Sequence, residues 1–199
     1  ILSSVGVAFS VAILVIGLFM FDGVRYMMEL QFRQSQREDI TLSLFESHGR
    51  AARFELSHLP GVTSVETFRA VPARLRAGHR AREVSLQGLE PDGRLRRVVD
   101  ADGRVRDIPI RGALLSRKLA DAIEVGTGDW IDVEVLEGLR ARGKIVVAGV
   151  VEDFLGLSVS MSQESLLALT GGADVFSGAY LTVEPERRGE LERYLKRLP

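Results

Sequence analysis

The first 21 residues, ILSSVGVAFSVAILVIGLFMF, carry no charged side chain, and Asp22 is the first charged residue of the chain. As a helix, about 20 apolar residues cross the hydrocarbon core of a bilayer, so the run predicts a transmembrane helix over residues 1–21. A cleaved signal peptide fits less well, since no basic residue precedes the run and no small-x-small site follows it. The chain starts inside the run and without Met, so upstream residues are expected and orientation does not follow from flanking charge. The helical period then continues. Phe21, Val24, Met28 and Phe32 recur at steps of three and four, while Arg25, Glu29 and Arg33 fall on another face. This predicts an amphipathic stalk over residues 22–37, whose apolar stripe must lie against its own domain or a neighbouring helix.

Past the stalk the pattern shortens. Ile40, Leu42 and Leu44 alternate with Thr41 and Ser43, the mark of a half-buried strand. A helix follows with Ala52, Leu56 and Leu59 on one face, ended by Pro60-Gly61. Residues 62–68 and 70–77 read as one long strand or a bent pair, and residues 82–90 as another. Strand, helix, strand suggests a βαβ-like unit within a split α/β layer. Asp92-Gly93 and Asp102-Gly103 are hairpin turn signals, because both residue types tolerate positive φ.

Leu115, Leu119, Ala122 and Ile123 share a helical face, predicting a helix over residues 114–123. Ile131, Val133 and Val135 alternate with Asp132 and Glu134 in a strand over residues 130–136. The apolar, β-branched run KIVVAGVV at residues 144–151 predicts a buried strand. Ser162 is placed to cap a short helix through Leu169, stopped by Gly171 and Gly172. Residues 178–185 form a strand pattern, and residues 186–198 an amphipathic helix carrying Leu191, Leu195 and Leu198.

Charge changes this picture only locally. The net charge of −1 argues against a general nucleic-acid surface. From Arg69 to Arg111 there are eleven Arg against six acids, whereas from Asp121 to Glu137 there are six acids and no base. No aromatic residue lies between Phe68 and Trp130 to stack on bases, so these regions read as two solvated faces that attract each other. The chain has no cysteine, hence no disulfide and no thiolate metal site.

The search for chemistry returns little. The stretch LADAIEVGTGDWIDVEV places Gly126, Gly128 and Asp129 like a phosphate loop, but Ile131 stands where a dinucleotide fingerprint needs glycine. The order, helix then strand, is also reversed, and there is no Gly-Lys-Ser/Thr. The expectation is a helix C-cap with Gly126 in the left-handed conformation, and a turn at Gly128-Asp129. His48, His58 and His79 lack metal-binding spacing and are expected at the surface. Ser57, Ser116 and Ser158 lack a nucleophile elbow, and Glu152-Asp153 is an isolated acid pair. Trp130 is expected in the core or at its rim. No catalytic, cofactor-binding or metal-binding residue emerges, and the chain is not expected to be an enzyme.

The order of motifs resembles FtsX/MacB-like ABC transporter permeases. The segment running from ALLSRKLA through GTGDWIDVEV to KIVVAGVVEDFLG matches the family's pattern at Leu115, Ser116, Leu119, Ala120, Gly128, Asp129, Val133, Val147 and Gly149. LPGVTSV, beginning at Leu59, and LQGLEP, ending at Pro91, resemble two further family segments. The resemblance implies an α+β protein: one transmembrane helix with stalk, then a mixed α/β porter-like lobe over residues 38–90 and 162–199. That lobe would be split by an inserted β-rich sabre-like lobe over residues 91–161. It implies a permease subunit coupling cytoplasmic ATP hydrolysis to export, extraction or mechanotransmission, in a bacterial cytoplasmic membrane with the soluble domain periplasmic or extracellular. The implied partners are a cytoplasmic ABC ATPase, which would hold ATP and Mg, a second permease copy or homologue, membrane lipid and an extracytoplasmic protein. The stripe Phe21, Val24, Met28 and Phe32 is the expected coupling element. The family's hook-like docking element is not identifiable here, which leaves lipoprotein sorting without support. A different class, a single-span receptor or sensor whose outer domain binds a ligand or protein, would share the anchor, the stalk and the lack of catalysis.

Overall fold

The computed structural model describes residues 2–30, 36–152, 156–171 and 175–195, without the side chains of residues 2–5, 7–8, 26–30, 45–47 and 50. Helix α1 (Leu2–Leu30) leads toward strand β1 (Ile40–Gly49), helix α2 (Arg50–Ser57) and the long strand β2 (Val62–Ala77). Phe21 and Val24 of the expected stripe are exposed on α1, while the Met28 side chain and Phe32 lie outside the described residues. The expected stalk does not stay helical to residue 37. Gln36 is already in an extended bridge with Arg96, and Arg37 N–H donates to Leu95 O. Among the described residues no helix is long and apolar enough to cross a membrane.

Two strand systems share β2. In the first, β1 and the opening half of β2 flank β10 (Val175–Val183), and both run antiparallel to it. With α2 joining β1 to β2, this is a split βαβ unit. The helices α2 and α5 (Arg188–Leu195) supply Leu56 and Leu191 to a cluster with Phe176, Ala179, Leu181 and Val183. Gly178 allows close approach at this sheet: a Cβ there would lie 2.5 Å from Phe68 Cζ and would also strike Leu42 O.

The second system is a closed ring. The second half of β2 pairs with β3 (Arg80–Leu89), and the circuit continues through β9 (Val159–Ser162), β6 (Ala113–Ser116), β8 (Arg142–Val151) and β7 (Trp130–Val135). It returns to β2 where Ala73–Arg76 face Val135–Asp132. Alternate residues point inward, among them Val71, Ala73, Leu75, Leu86, Leu115, Ile131, Val133, Val147, Val159 and Met161, all at most 2% exposed. Helix α4 (Gln163–Thr170) sets Leu166 against Gly88 of β3, where an added Cβ would come within 2.8 Å, and Leu169 against Gly143 of β8, where it would come within 2.6 Å. Those strands stand opposite each other in the six-stranded circuit, so α4 lies across one mouth. Helix α3 (Arg117–Ile123) buries Ala120 and sets Leu119 and Ile123 in the same core, with its end tied to the β2–β3 turn by the Arg80–Glu124 ion pair.

Several expectations change here. Residues 113–116 are a strand, not the first turn of a helix, because β6 completes the ring between β8 and β9. Strand β9, four buried residues, had no counterpart in the sequence pattern. Strand β3, within the residues that the resemblance assigns to the porter-like lobe, pairs with β2 and β9 in the ring. The C-cap of α3 in the left-handed region is Glu124 (φ 54°) and not Gly126, and the positive φ in the GTGD turn belongs to Gly128. Asp129 organises that turn by accepting the Gly126 N–H at 2.8 Å. Asp102-Gly103 turns a short hairpin between β4 (Val98–Val99) and β5 (Val105–Arg106), as expected. Asp92-Gly93 makes a turn without a hairpin, and its outgoing residues reach Arg37 instead. Ser162 does cap α4, accepting the Ser165 N–H at 3.1 Å, and Gly171 ends it at φ 63°.

Replacing Gly178 by Ala pushes β10 off Phe68 and β1. The expected loss is about 1–3 kcal/mol of stability, measured as a shifted urea midpoint.

Candidate functional site at the helix junction

The chain coming from α1 is clamped at residues 36–39. Asp39 N–H donates to Leu181 O at 2.9 Å, and Asp39 Oδ2 accepts the Val183 N–H at 2.9 Å, which fixes the start of β1 on β10. Glu38 turns inward, only 6% exposed, and its Oε1 meets Arg96 at 3.1 Å. Among the described residues its Oε2 has no hydrogen-bond partner. The Arg96 guanidinium lies 5.7 Å from the ring centroid of Tyr180, and Tyr180 stacks on Phe68 at 4.5 Å. Burial raises the Tyr180 phenol above its usual value, and the adjacent Arg96 opposes that shift.

Arg96 belongs to the connection between β3 and β6, residues 90–112, which carries only a small apolar cluster: Leu95 with Leu89 and Tyr180, backed by Phe68, Val98 and Ile108. Carboxylates hold most of the rest. Glu66 of β2 accepts the N–H groups of Arg94 at 2.5 Å and Leu95 at 3.0 Å. Glu90 accepts both the N–H and the hydroxyl of Thr67 at 2.9 Å and pairs with Arg53 at 3.0 Å. Asp100, in the β4–β5 hairpin, accepts N–H groups from Ala101 at 2.9 Å and Glu152 at 3.2 Å, and grips Arg106 at 2.7 Å. Burial works against the charged Asp100, yet the Arg106 hydrogen bond and the two backbone donors prevail and hold its carboxyl below its ordinary 3.8.

The two charged stretches meet at Arg74–Glu134 and at Arg80–Glu124. On the outside of the ring Arg74 contacts Glu83 at 2.6 Å and Glu134 at 3.8 Å, while Arg142 contacts Glu134 at 2.6 Å and Lys144 contacts Asp132 at 3.6 Å. The Arg142 hydrogen bond is the main cause holding the Glu134 carboxyl below its usual value. Trp130 ends this ladder at 65% exposure, outside the core. His48, His58 and His79 are all exposed, Ser116 is buried beneath the β9 approach, where its hydroxyl accepts the Ser158 N–H, and Glu152 serves as a backbone partner for Asp100 and Ala101. Among the described residues no group of three or more His, Cys, Asp or Glu is placed to hold a metal ion. The junction is built of hydrogen bonds and ion pairs that tie residues 36–39 to β10 and to residues 90–112. Glu38, Arg96, Tyr180 and Asp100 were not singled out by the sequence, and only the Asp100 turn left a local signal.

The chain belongs to the MacB-like periplasmic core domain family, whose model matches residues 1–193, and so to the FtsX/MacB-like permeases. It is thus a mixed α/β extracytoplasmic domain of ABC-type transporter permeases. The extracellular domain of the noncanonic ABC-type transporter YknZ from Gram-positive bacteria is similar at a TM-score of 0.54 and 16% identity, over 76% of this chain and 87% of that one. At that identity the likeness speaks to the fold. The periplasmic region of MacB from Actinobacillus actinomycetemcomitans is matched at 0.46 and 17% identity, over 83% and 86%. A domain of a putative permease from Porphyromonas gingivalis is matched at 0.42 and 18% identity, over 81% and 84%. No curated protein matches the chain.

The lowered Asp100 pKa sets a pH dependence. Its contribution is fully present above the ordinary carboxylate value of 3.8 and is lost as pH falls through the folded value. Asp100→Asn is expected to cost about 1–3 kcal/mol at pH 7, and the difference from wild type should shrink below the ordinary carboxylate range, read from urea unfolding at both pH values.

Proposed function

We propose that this chain is the N-terminal part of one permease subunit of an ABC transporter, with α1 crossing the bacterial cytoplasmic membrane and the strand domain outside it. A cytoplasmic ABC ATPase would hold and hydrolyse ATP with Mg, and this chain would neither bind the nucleotide nor catalyse a reaction. Two permease units, a second copy or a homologue, would work together, and the domain would convert their movement into export, extraction or force on an extracytoplasmic protein.

The observation that carries the reading is the clamped junction at residues 36–39. A polypeptide leaving an apolar helix is tied to β10 through Asp39 and to the β3–β6 connection through Arg37 and Glu38. Such a joint transmits displacement, whereas a flexible tether would dissipate it. The membrane part is supported by the charge-free residues 1–21 and by Phe9, Ile13, Leu14, Ile16, Leu18 and Phe19, all more than half exposed. Apolar surface is unfavourable in water by about 25 cal/mol per Å², so lipid is its fitting solvent. The 29 residues of α1 extend about 43 Å, roughly 13 Å more than a bilayer core, enough for a short stalk. The ATPase cycle shifts the domain only to the extent that its states contact the stalk differently.

Met28→Pro, which breaks the helix below the junction, is expected to leave ATP hydrolysis by the assembled transporter intact while abolishing complementation of a deletion strain. Full complementation by that variant would refute stalk coupling.

A further inference from the structure

Strand β1, toward which α1 leads, has β10 as its sheet neighbour and, among the described residues, forms no ladder with a strand of the ring. We infer that residues 90–112 are a coupling strap, which takes displacement from residues 36–38 and delivers it to the ring, with Glu38 and Arg96 as the positioning pair. This rests on the proposed function and names the route that function would use.

The strap is fastened at both ends by contacts that resist sliding. At the stalk end Gln36 bridges Arg96, Arg37 N–H donates to Leu95 O at 2.9 Å, and Glu38 meets Arg96. At the ring end Asp100 Oδ1 accepts the Glu152 N–H and Ala101 N–H donates to Glu152 O at 2.8 Å, directly after β8. Ile110 O accepts the hydroxyls of Ser162 at 3.4 Å and Ser165 at 2.8 Å, at the start of α4. Between these points the Asp100–Arg106 pair braces the β4–β5 hairpin. The Glu38–Arg96 contact governs whether the strap follows. With Glu38 buried and Oε2 already lacking a partner, pulling Arg96 away would strand a carboxylate out of water, which is strongly disfavoured. Stalk and strap therefore move together, and the strap hands that motion to β8 and α4, which lies across the ring's mouth.

The geometry also supplies a substitute linkage. The Arg37 N–H to Leu95 O bond marks Gln36 and Arg96 as a non-hydrogen-bonded antiparallel pair, whose Cα atoms stand about 4.5 Å apart, within disulfide reach. This chain contains no cysteine to compete.

The test uses the full-length permease with its ATPase partner in lipid nanodiscs, followed by hydrogen–deuterium exchange with and without ATP plus vanadate. Wild type is expected to show a nucleotide-dependent change both at residues 36–49 and in β8. In Arg96→Met the change at residues 36–49 persists while that in β8 falls about fivefold or more. In the Gln36→Cys/Arg96→Cys double variant, β8 responds when the pair is oxidised and not when it is reduced, a comparison within one folded molecule that a purely structural role for Arg96 would not produce. An undiminished β8 response in Arg96→Met, or an oxidised pair that fails to restore it, overturns the strap and leaves the proposed function standing. If wild type shows no nucleotide-dependent change at residues 36–49, the proposed function falls, and the strap with it.

Discussion

One strand belongs to two sheets, and the arrangement of the domain follows from it. The 16 residues of β2 extend about 50 Å, with residues 62–68 bonded to β10 and residues 69–77 bonded to β3 and, near their end, to β7. The continuous backbone of β2 joins the split βαβ layer to the ring, each half of the strand keeping its own ladder. Pro72, just before the ring closes, lacks an N–H and contributes only its carbonyl, which accepts Leu136 N–H at 2.8 Å. Phe68 marks the changeover, its ring lying over Gly178 on one side of the boundary and on Tyr180.

The ring and the strap are stabilised by different physics. Inside the ring the side chains are aliphatic and almost wholly dry, so its cohesion is burial and packing. The strap has too little apolar surface to fold on that basis. Instead Glu38, Glu66, Glu90 and Asp100 converge on it or on its flanks, each bonded to backbone N–H groups, to arginine or to both. Charge-assisted bonds of this kind are short and directional, so they fix position more sharply than an apolar contact does.

The sequence made local order legible where the period was clean. Ile131, Val133 and Val135 alternated in sequence and are buried in β7, and Ser162 with Gly171 bracketed α4 at both ends. It misled where two periods coincide. Leu115 and Leu119 are spaced for one helical face, yet Leu115 faces the ring core as a strand residue and Leu119 does so from the helix that follows. Strand β9 was not assigned, since the serines at 158, 160 and 162 leave only Val159 and Met161 as apolar positions, although burial there comes from neighbours on both sides. Ring closure and the Glu38–Arg96 pair are long-range facts, and no local pattern encodes which distant strand or charge completes them. The expected left-handed glycine failed for a smaller reason: Glu124 takes that conformation itself, with its carboxylate paired to Arg80.

The pairing of β1 with β10 has a consequence for synthesis. Ile40 meets Leu181, so the first strand to emerge must await a partner made 141 residues later. At about 5–20 residues per second that interval lasts roughly 7–30 s. Until then one edge-exposed, alternating strand has no sheet to join, and in that period aggregation competes with folding.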